Sequence, residues 1–125
     1  MGTVDWSGLR AQAVAAACRA YAPHSGLRVG AAALVDDGRV VVGCNVENAS
    51  HGLTLCAECA LAGQLQLTGG GRLVAVTCRS AEGRPLATCG RCRQILLELG
   101  GGDLLVELPS GVRAMSEVLP DAFTS

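Results

Sequence analysis

The sequence contains no lysine, and it has only one tryptophan, one tyrosine and one phenylalanine among its 125 residues. Ten arginines face eleven acidic residues, which gives a formal net charge of −1. Without an excess of positive charge, the chain lacks the electrostatic attraction on which binding to nucleic acids and anionic membranes depends. With so few aromatic side chains, it also cannot build an extended platform for stacking bases. These absences argue against nucleic acid or a membrane as the partner and favour a small neutral ligand or a protein.

Long hydrophobic runs and targeting signals are also missing from the sequence. No uncharged stretch approaches the roughly 20 residues that span a membrane. The first residues, Met1 to Trp6, lack the basic and apolar regions of a secretory signal peptide. We therefore expect a cytoplasmic protein. In that reducing compartment its seven cysteines are expected to be free thiols that bind metal or do chemistry.

The length of the chain predicts one α/β domain over residues 1–125, because a single core usually serves about 100–150 residues. Half of the residues are hydrophobic, and no repeat or linker divides them. After Asp5, apolar residues recur at helical spacing until Pro23. Two short apolar runs then flank Asp37-Gly38, which indicates a tight β-hairpin.

Helical and strand patterns alternate after the hairpin, and residues 45–54 between them have the composition of a loop. This order predicts a mixed sheet covered by helices. A turn is expected at Pro109-Ser110-Gly111. The predicted strands are Val29 to Val35, Val40 to Cys44, Leu73 to Arg79 and Leu104 to Leu108, and the later helices run from about Cys56 to Leu67, Cys89 to Leu99 and Met115 to Leu119.

Four cysteines form two C-x-x-C pairs, Cys56 with Cys59 and Cys89 with Cys92, and two such pairs indicate a zinc site. If all four thiolates bind the ion, the site is closed and structural, although the stretch between the pairs is longer than in a usual zinc ribbon. If Cys59 does not bind, the fourth position holds water beside Glu58 and the site is catalytic. The remaining cysteines, Cys18, Cys44 and Cys78, are expected to be small core residues.

Cys56-Ala57-Glu58, followed by Cys89-Gly90-Arg91-Cys92-Arg93-Gln94, resembles the zinc-dependent cytidine deaminases. The match continues through Val29-Gly30-Ala31-Ala32, the loop from Asn45 to Ser50 and the terminal segment from Leu119 to Phe123, so it covers nearly the whole chain. The pattern is similar to the small three-cysteine class of the family. This resemblance implies a three-layer α/β/α cytidine-deaminase-like fold with a mixed sheet of about five strands, and a homotetramer with shared active sites.

The resemblance implies hydrolytic deamination of cytidine, and of deoxycytidine, to the uracil nucleoside and ammonia. Zn²⁺ held by Cys56, Cys89 and Cys92 would activate the water, and Glu58 would move the protons. Residues two apart point about 200° apart on an ideal helix, so Cys56 and Glu58 face one site only if Cys56 lies at the irregular start of its helix. Helix N-termini at Cys56 and Cys89 would also offset the thiolate charge, and nearby cations are available at Arg91 and Arg93.

By the same resemblance, Asn45 and Glu47 bind the ribose, and the backbone of Ala57 contacts the cytosine edge. The alternative for Asn45 and Glu47 is that they stabilise their loop through bonds from side chain to backbone. Leu27 stands where the family commonly has a phenylalanine that packs against the base, so an apolar contact remains without an aromatic surface. Phe123 is expected at the active site of a neighbouring subunit.

Several positions depart from the family pattern. His24 and His51 stand where tyrosine is frequent, Thr88 replaces the usual proline, and Cys59 stands where an arginine often follows the catalytic glutamate. Isolated loop histidines are more often hydrogen-bonding residues than metal ligands. The departures leave two alternatives open: a deaminase of a modified cytosine nucleoside such as blasticidin S, and a non-catalytic interaction module whose zinc is closed by Cys59.

Overall fold

One five-stranded sheet organises the structure, a computed structural model that describes residues 3–124. Residues 1, 2 and 125 of the expected domain lie outside the described residues. In the described part of the chain, none of the helices has the length and apolar content needed to cross a membrane. The elements are α1 (Trp6–Ala17), β1 (Val29–Val35), β2 (Val40–Cys44), a short 3-10 helix (His51–Leu53), α2 (Ala57–Leu67), β3 (Leu73–Ser80), α3 (Gly90–Gly100), β4 (Leu105–Leu108), β5 (Gly111–Ala114) and α4 (Met115–Val118).

The strands lie in the order β2-β1-β3-β4-β5. Strands β3 and β4 are parallel, because α3 carries the chain back across the sheet between them. The other neighbouring strands are antiparallel. The hairpin between β1 and β2 turns at Asp37-Gly38, where Gly38 has a φ of 91° that suits glycine. The expected mixed sheet of about five strands is thus confirmed.

Alternate residues of the strands face opposite helix layers. On one face, Ala32 and Ala75 pack against Leu9 and Ala13 of α1, and Trp6 covers the edge of this cluster. On the other face, a larger core includes Ala31 and Ala33 of β1, Leu61 and Leu65 of α2, and the leucines of α3. The structure therefore has the three layers that the resemblance implied.

Two glycines allow helices to lie directly on strand backbone. A Cβ atom on Gly30 would come within 1.9 Å of the Ala13 carbonyl oxygen of α1. A Cβ atom on Gly43 would come within 2.3 Å of the Ala57 carbonyl oxygen and 2.4 Å of the Leu61 nitrogen, both in α2. These contacts fix the first turn of α2 against β2, and that turn carries candidate functional residues.

Some details differ from the sequence-based expectations. Helix α1 ends at Ala17 rather than near Pro23, because the backbone of Tyr21 already bonds to Asn45 and Glu47 in an extended bridge. Strand β5 begins at Gly111, the last residue of the expected turn, and the sequence analysis assigned no strand there.

Two of the three cysteines expected in the core are not buried. Cys18 is exposed because it follows the last turn of α1, and Cys44 is only half-buried because it ends the edge strand β2. Cys78, on the central strand β3, is buried as expected.

Candidate metal centre and active-site cavity

Two helix N-termini bring three thiols together. Cys56 is the N-cap of α2 and Cys89 is the N-cap of α3, and both have extended backbone with ψ of 157° and 166°. Cys92 lies in the first turn of α3 and is buried. The Sγ atoms of Cys56 and Cys89 are 4.0 Å apart, and all three sulfur atoms lie within 4.8 Å of one another. Cys56 thus lies outside regular helix, as required if it is to share a site with Glu58.

The three sulfur atoms suit a zinc ion. Zn–S bonds of about 2.3 Å in a tetrahedral arrangement separate the sulfurs by about 3.8 Å, close to the spacing seen here. Among residues 3–124, the metal cluster consists of the thiols of Cys56, Cys89 and Cys92. Cys59 lies in the first turn of α2, close to Cys56 in the chain, but does not belong to the cluster. Three ligands leave a fourth position open, which is the arrangement of a catalytic rather than a structural zinc site.

The thiols differ in their acidity. Burial raises the pKa of the Cys56 thiol, and burial together with the Glu58 carboxylate raises the pKa of Cys92. Burial acts in the same direction on Cys89, but hydrogen bonding, led by the backbone N–H of Cys92, lowers the pKa of Cys89 below its ordinary value. The helix N-terminus therefore stabilises one thiolate. A divalent cation would compensate two of the three thiolate charges and leave the remaining one to the helix dipoles.

The two candidate arginines lie in different surroundings. Arg91 is exposed. Arg93 is half-buried, and its guanidinium donates to the carbonyl oxygens of Thr88 at 2.9 Å and Val118 at 3.2 Å. Arg93 therefore holds the residue before Cys89 in place and ties α3 to the C-terminal helix α4.

A cavity of about 270 Å³ opens beside the thiol cluster. Glu58, only 5% exposed, lines it from the first turn of α2, together with Ala57, Cys56 and Cys89. Leu27 also lines the cavity and is 40% exposed. The cavity thus combines an apolar wall, a carboxylate and the candidate metal ligands.

Five lining residues were not singled out from the sequence as candidates for binding. Leu86 and Ala87 lie three and two residues before Cys89, and this closeness to a candidate zinc ligand could have indicated that they line the site. Cys78 was assigned to the core, and burial with the nearby Glu58 raises its pKa well above the ordinary value, which keeps it a neutral thiol. The five residues are Val29, Thr54, Cys78, Leu86 and Ala87.

Asn45 and Glu47 make the hydrogen bonds from side chain to backbone that were expected if these residues stabilise their loop. The Asn45 Oδ1 accepts from the Val29 nitrogen at 2.8 Å, and its Nδ2 donates to the Leu27 carbonyl oxygen at 2.9 Å. The Glu47 carboxylate accepts from the backbone nitrogens of His24 and Ser25 at 2.9 and 3.1 Å, and from the Ser25 hydroxyl. The Ser25 hydroxyl is the main cause of a lowered pKa for Glu47. Asn45 lines the cavity, whereas Glu47 lies just outside it.

A second, polar cavity adjoins the first and shares Thr54 with it. It has a volume of about 490 Å³. The rings of His24 and His51 line it with centroids 6.1 Å apart, and neither imidazole belongs to the metal cluster. Its lining is Pro23, His24, Ser25, Glu47, Asn48, His51 and Thr54.

Phe123 does not line either cavity of its own chain. Its side chain is 76% exposed, and its carbonyl oxygen accepts from the Gln94 Nε2 at 3.0 Å. It lies over a surface groove beside Leu97 and Glu98 of α3. The C-terminal segment is therefore anchored on α3 while the phenylalanine ring faces outward.

The family model described as the cytidine and deoxycytidylate deaminase zinc-binding region matches residues 7–107. The chain is 59% identical over 123 residues to a cytidine deaminase of Mycobacterium tuberculosis (strain CDC 1551 / Oshkosh), covering 98% of this chain and 92% of the relative. It is 39% identical over 127 residues to a cytidine deaminase of Halalkalibacterium halodurans, covering 98% and 96%.

Solved structures agree with the sequence comparison. The crystal structure of cytidine deaminase from Mycobacterium tuberculosis superposes with a TM-score of 0.95 at 58% identity, covering 98% of this chain and all of the other. That from Burkholderia pseudomallei superposes with a TM-score of 0.85 at 41% identity, covering 96% and 100%. The thiol cluster lies within the matched region, and the chain belongs to the zinc-dependent cytidine and deoxycytidylate deaminase family.

Proposed function

We infer that this chain catalyses the hydrolytic deamination of cytidine, and of deoxycytidine, to the uracil nucleoside and ammonia. The observation that carries this inference is the cluster of three thiols beside the buried Glu58 in one cavity. This cluster lies in a chain that is 59% identical to a cytidine deaminase over nearly its full length. Zinc is the cofactor.

We assign the zinc ligands to Cys56, Cys89 and Cys92. A bound Zn²⁺ supplies Lewis acidity, which makes water a competent nucleophile near neutral pH. Glu58 is the proton carrier: its carboxylate takes a proton from the attacking water, delivers it to N3 of the pyrimidine and then helps to protonate the departing ammonia. Its burial beside the thiols excludes bulk water from these transfers.

The base and the sugar contact different residues in this proposal. Leu27 packs on the base, and the backbone of Ala57 contacts the cytosine edge. Asn45 still has one N–H and one oxygen lone pair after its two loop bonds, and Glu47 retains acceptor capacity after its three. These groups bind ribose hydroxyls. A free base would leave them unpaired and is a poor substrate.

The two alternatives fit less well. A non-catalytic module closed by Cys59 needs four thiols around one ion, and Cys59 is not part of the cluster among the described residues. A deaminase of a modified nucleoside such as blasticidin S is not favoured, because the curated relatives at 59% and 39% identity are cytidine deaminases.

We further propose a homotetramer in which Phe123 of one chain completes the active site of another. The exposed ring of Phe123, held on α3 through Gln94, suits contact with a neighbouring chain. Mixing Phe123→Ala chains with Glu58→Gln chains should restore part of the activity, because a mixed assembly can contain a site with neither defect. A fully active monomer in sedimentation would refute the shared site.

We also propose that residues 1–125 act as one domain and work in the cytoplasm. The helices of the described residues pack on one sheet. All seven cysteines are free thiols, including the three candidate ligands. A reducing compartment would preserve them for metal binding.

Ammonia release by the zinc-loaded protein tests the function directly. We expect turnover of cytidine and deoxycytidine and little turnover of free cytosine, because the base lacks the sugar contacts. Blasticidin S serves as the comparison substrate. Preference for blasticidin S would favour the modified-nucleoside alternative, and no turnover of any of the four would favour the non-catalytic module.

A further inference from the structure

The Ser25 hydroxyl contacts both parts of the proposed nucleoside site. It donates to the Glu47 carboxylate, which we assign to the sugar, and it accepts from the Leu27 nitrogen at 3.0 Å. Leu27 forms the apolar wall of the base cavity. We propose that Ser25 is a positioning residue that couples the sugar contact of Glu47 to the base contact of Leu27. This inference rests on the proposed function.

Both backbone polar groups of Leu27 are bound by side chains around the nucleoside site. Its nitrogen donates to the Ser25 hydroxyl, and its carbonyl oxygen accepts from the Asn45 Nδ2 at 2.9 Å. Gly26, with a φ of 74°, provides the bend between Ser25 and Leu27. The position of Leu27 is therefore set by these contacts rather than by a strand, since β1 begins only at Val29.

The same hydroxyl orders Glu47. Two backbone N–H groups of the His24–Ser25 segment bind one carboxylate oxygen, and the Ser25 hydroxyl binds the other. Without the hydroxyl, the second oxygen loses its partner, and the carboxylate is held through its first oxygen alone. Substrate binding would then have to order both Glu47 and Leu27, at a cost in affinity.

Ser25 does not line the cavity that holds Glu58 and the thiols. Its loss should therefore weaken nucleoside binding and leave the chemical step intact. We expect Ser25→Ala to raise KM for cytidine about tenfold, because substrate binding must then order Glu47 and Leu27, with kcat changed less than about twofold. Ser25→Thr keeps the hydroxyl and should return KM to within about threefold of the wild type.

A matched control is available in the next loop. Ser50 is exposed and its hydroxyl does not cap the short helix that follows it, so Ser50→Ala should leave KM unchanged. Zinc content and melting temperature should match the wild type in all three variants. The dissociation constant of uridine should rise in Ser25→Ala in step with KM.

The coupling through Glu47 is tested in a double variant. In a Glu47→Gln background, Ser25→Ala should raise KM less than threefold, because part of the path through which it acts is already lost. A tenfold effect in both backgrounds, an unchanged KM in Ser25→Ala, or a loss confined to kcat and melting temperature would overturn the role of Ser25. A wild-type protein inactive toward cytidine would instead refute the proposed function itself.

Discussion

Each face of the sheet carries a buried carboxylate, and the two carboxylates have opposite surroundings. On the α1 face, Glu107 accepts from the Arg10 Nε at 3.0 Å, from the Arg79 Nη2 at 2.7 Å and from the Thr77 hydroxyl at 2.7 Å. On the other face, Glu58 lies among thiols, and no arginine of the described residues forms an ion pair with it.

The difference separates a carboxylate whose charge has a structural role from the carboxylate that we propose as the proton carrier. Burial alone would raise the pKa of Glu107, but hydrogen bonds from Arg10, Arg79 and Thr77 lower it to about 2. Its charge is compensated within the protein. Glu58 has no cationic partner among the described residues. The raised pKa values of Cys56 and Cys92 keep these thiols protonated until a cation binds, so this face suits a metal ion.

The largest effect is expected from substitution of Glu58, the carboxylate without an arginine partner. Glu58→Gln should lower kcat for cytidine by about 10³–10⁴-fold, because an amide keeps the shape but cannot carry protons. Zinc content and unfolding free energy should stay close to those of the wild type. Glu107→Gln is the matched control on the other face and should retain most of the activity in steady-state assays at 25 °C. Comparable losses of kcat in the two variants would remove the distinction between the faces.

The thiol cluster gives the next effect. Cys89→Ala should lose most of the bound zinc and the activity together, because two thiolates remain. Cys59→Ser, in the neighbouring turn, should keep its zinc. Metal analysis after dialysis checks both variants. If Cys59→Ser releases zinc as readily as Cys89→Ala, the three-ligand assignment is wrong.

A moderate effect, on stability, is expected from substitution of Glu107, whose charge is compensated within the protein. Glu107→Gln should lower the unfolding free energy at pH 7 by about 3 kcal/mol, because two arginines lose their buried partner. Glu107 has a folded-state pKa of about 2 against an ordinary value of 4.5. Its contribution to the unfolding free energy is therefore complete above about pH 4.5 and disappears as the pH falls through about 2. Urea unfolding of both proteins over this range should give converging stabilities. A difference independent of pH would contradict this account.

The smallest effect concerns a neutral group beside the metal centre. The Thr88 hydroxyl is buried without a hydrogen-bond partner in the structure. Thr88→Val removes it with little change in shape and should raise the unfolding free energy by about 1 kcal/mol, measured by urea titration. Thr88→Ser keeps the hydroxyl and should give no gain. A destabilised Thr88→Val would mean that this hydroxyl has a partner in solution.

The sequence was most informative where spacing and chemistry coincide. The expected group of Cys56, Cys89, Cys92 and Glu58 is one that the fold brings together, whereas Cys59 of the first C-x-x-C pair lies outside the thiol cluster. The requirement that Cys56 precede regular helix is met by its N-cap position. The hairpin at Asp37-Gly38 and the alternation of helices and strands predicted the sheet, because both signals are local.

Features that depend on distant contacts could not be predicted in the same way. The Glu107 cluster joins residues 10, 77, 79 and 107, which share no pattern in the sequence. Strand β5 has mostly exposed residues, so it lacks the apolar alternation that would have indicated it. The use of Ser25 and Asn45 to hold Leu27 follows from loop geometry, which residue type alone does not determine.

The scarcity of aromatic residues has a spectroscopic consequence. Trp6 packs against the α1-side cluster, on the face opposite the cavity, whereas the backbone of Tyr21 bonds to Asn45 and Glu47 beside the proposed nucleoside site. Tryptophan emission should therefore follow the packing of α1 and respond weakly to nucleoside. Tyrosine absorbance should follow the loop to which we assign the sugar contacts. A single chain without any added label thus carries separate optical reporters for its stable face and its reactive face.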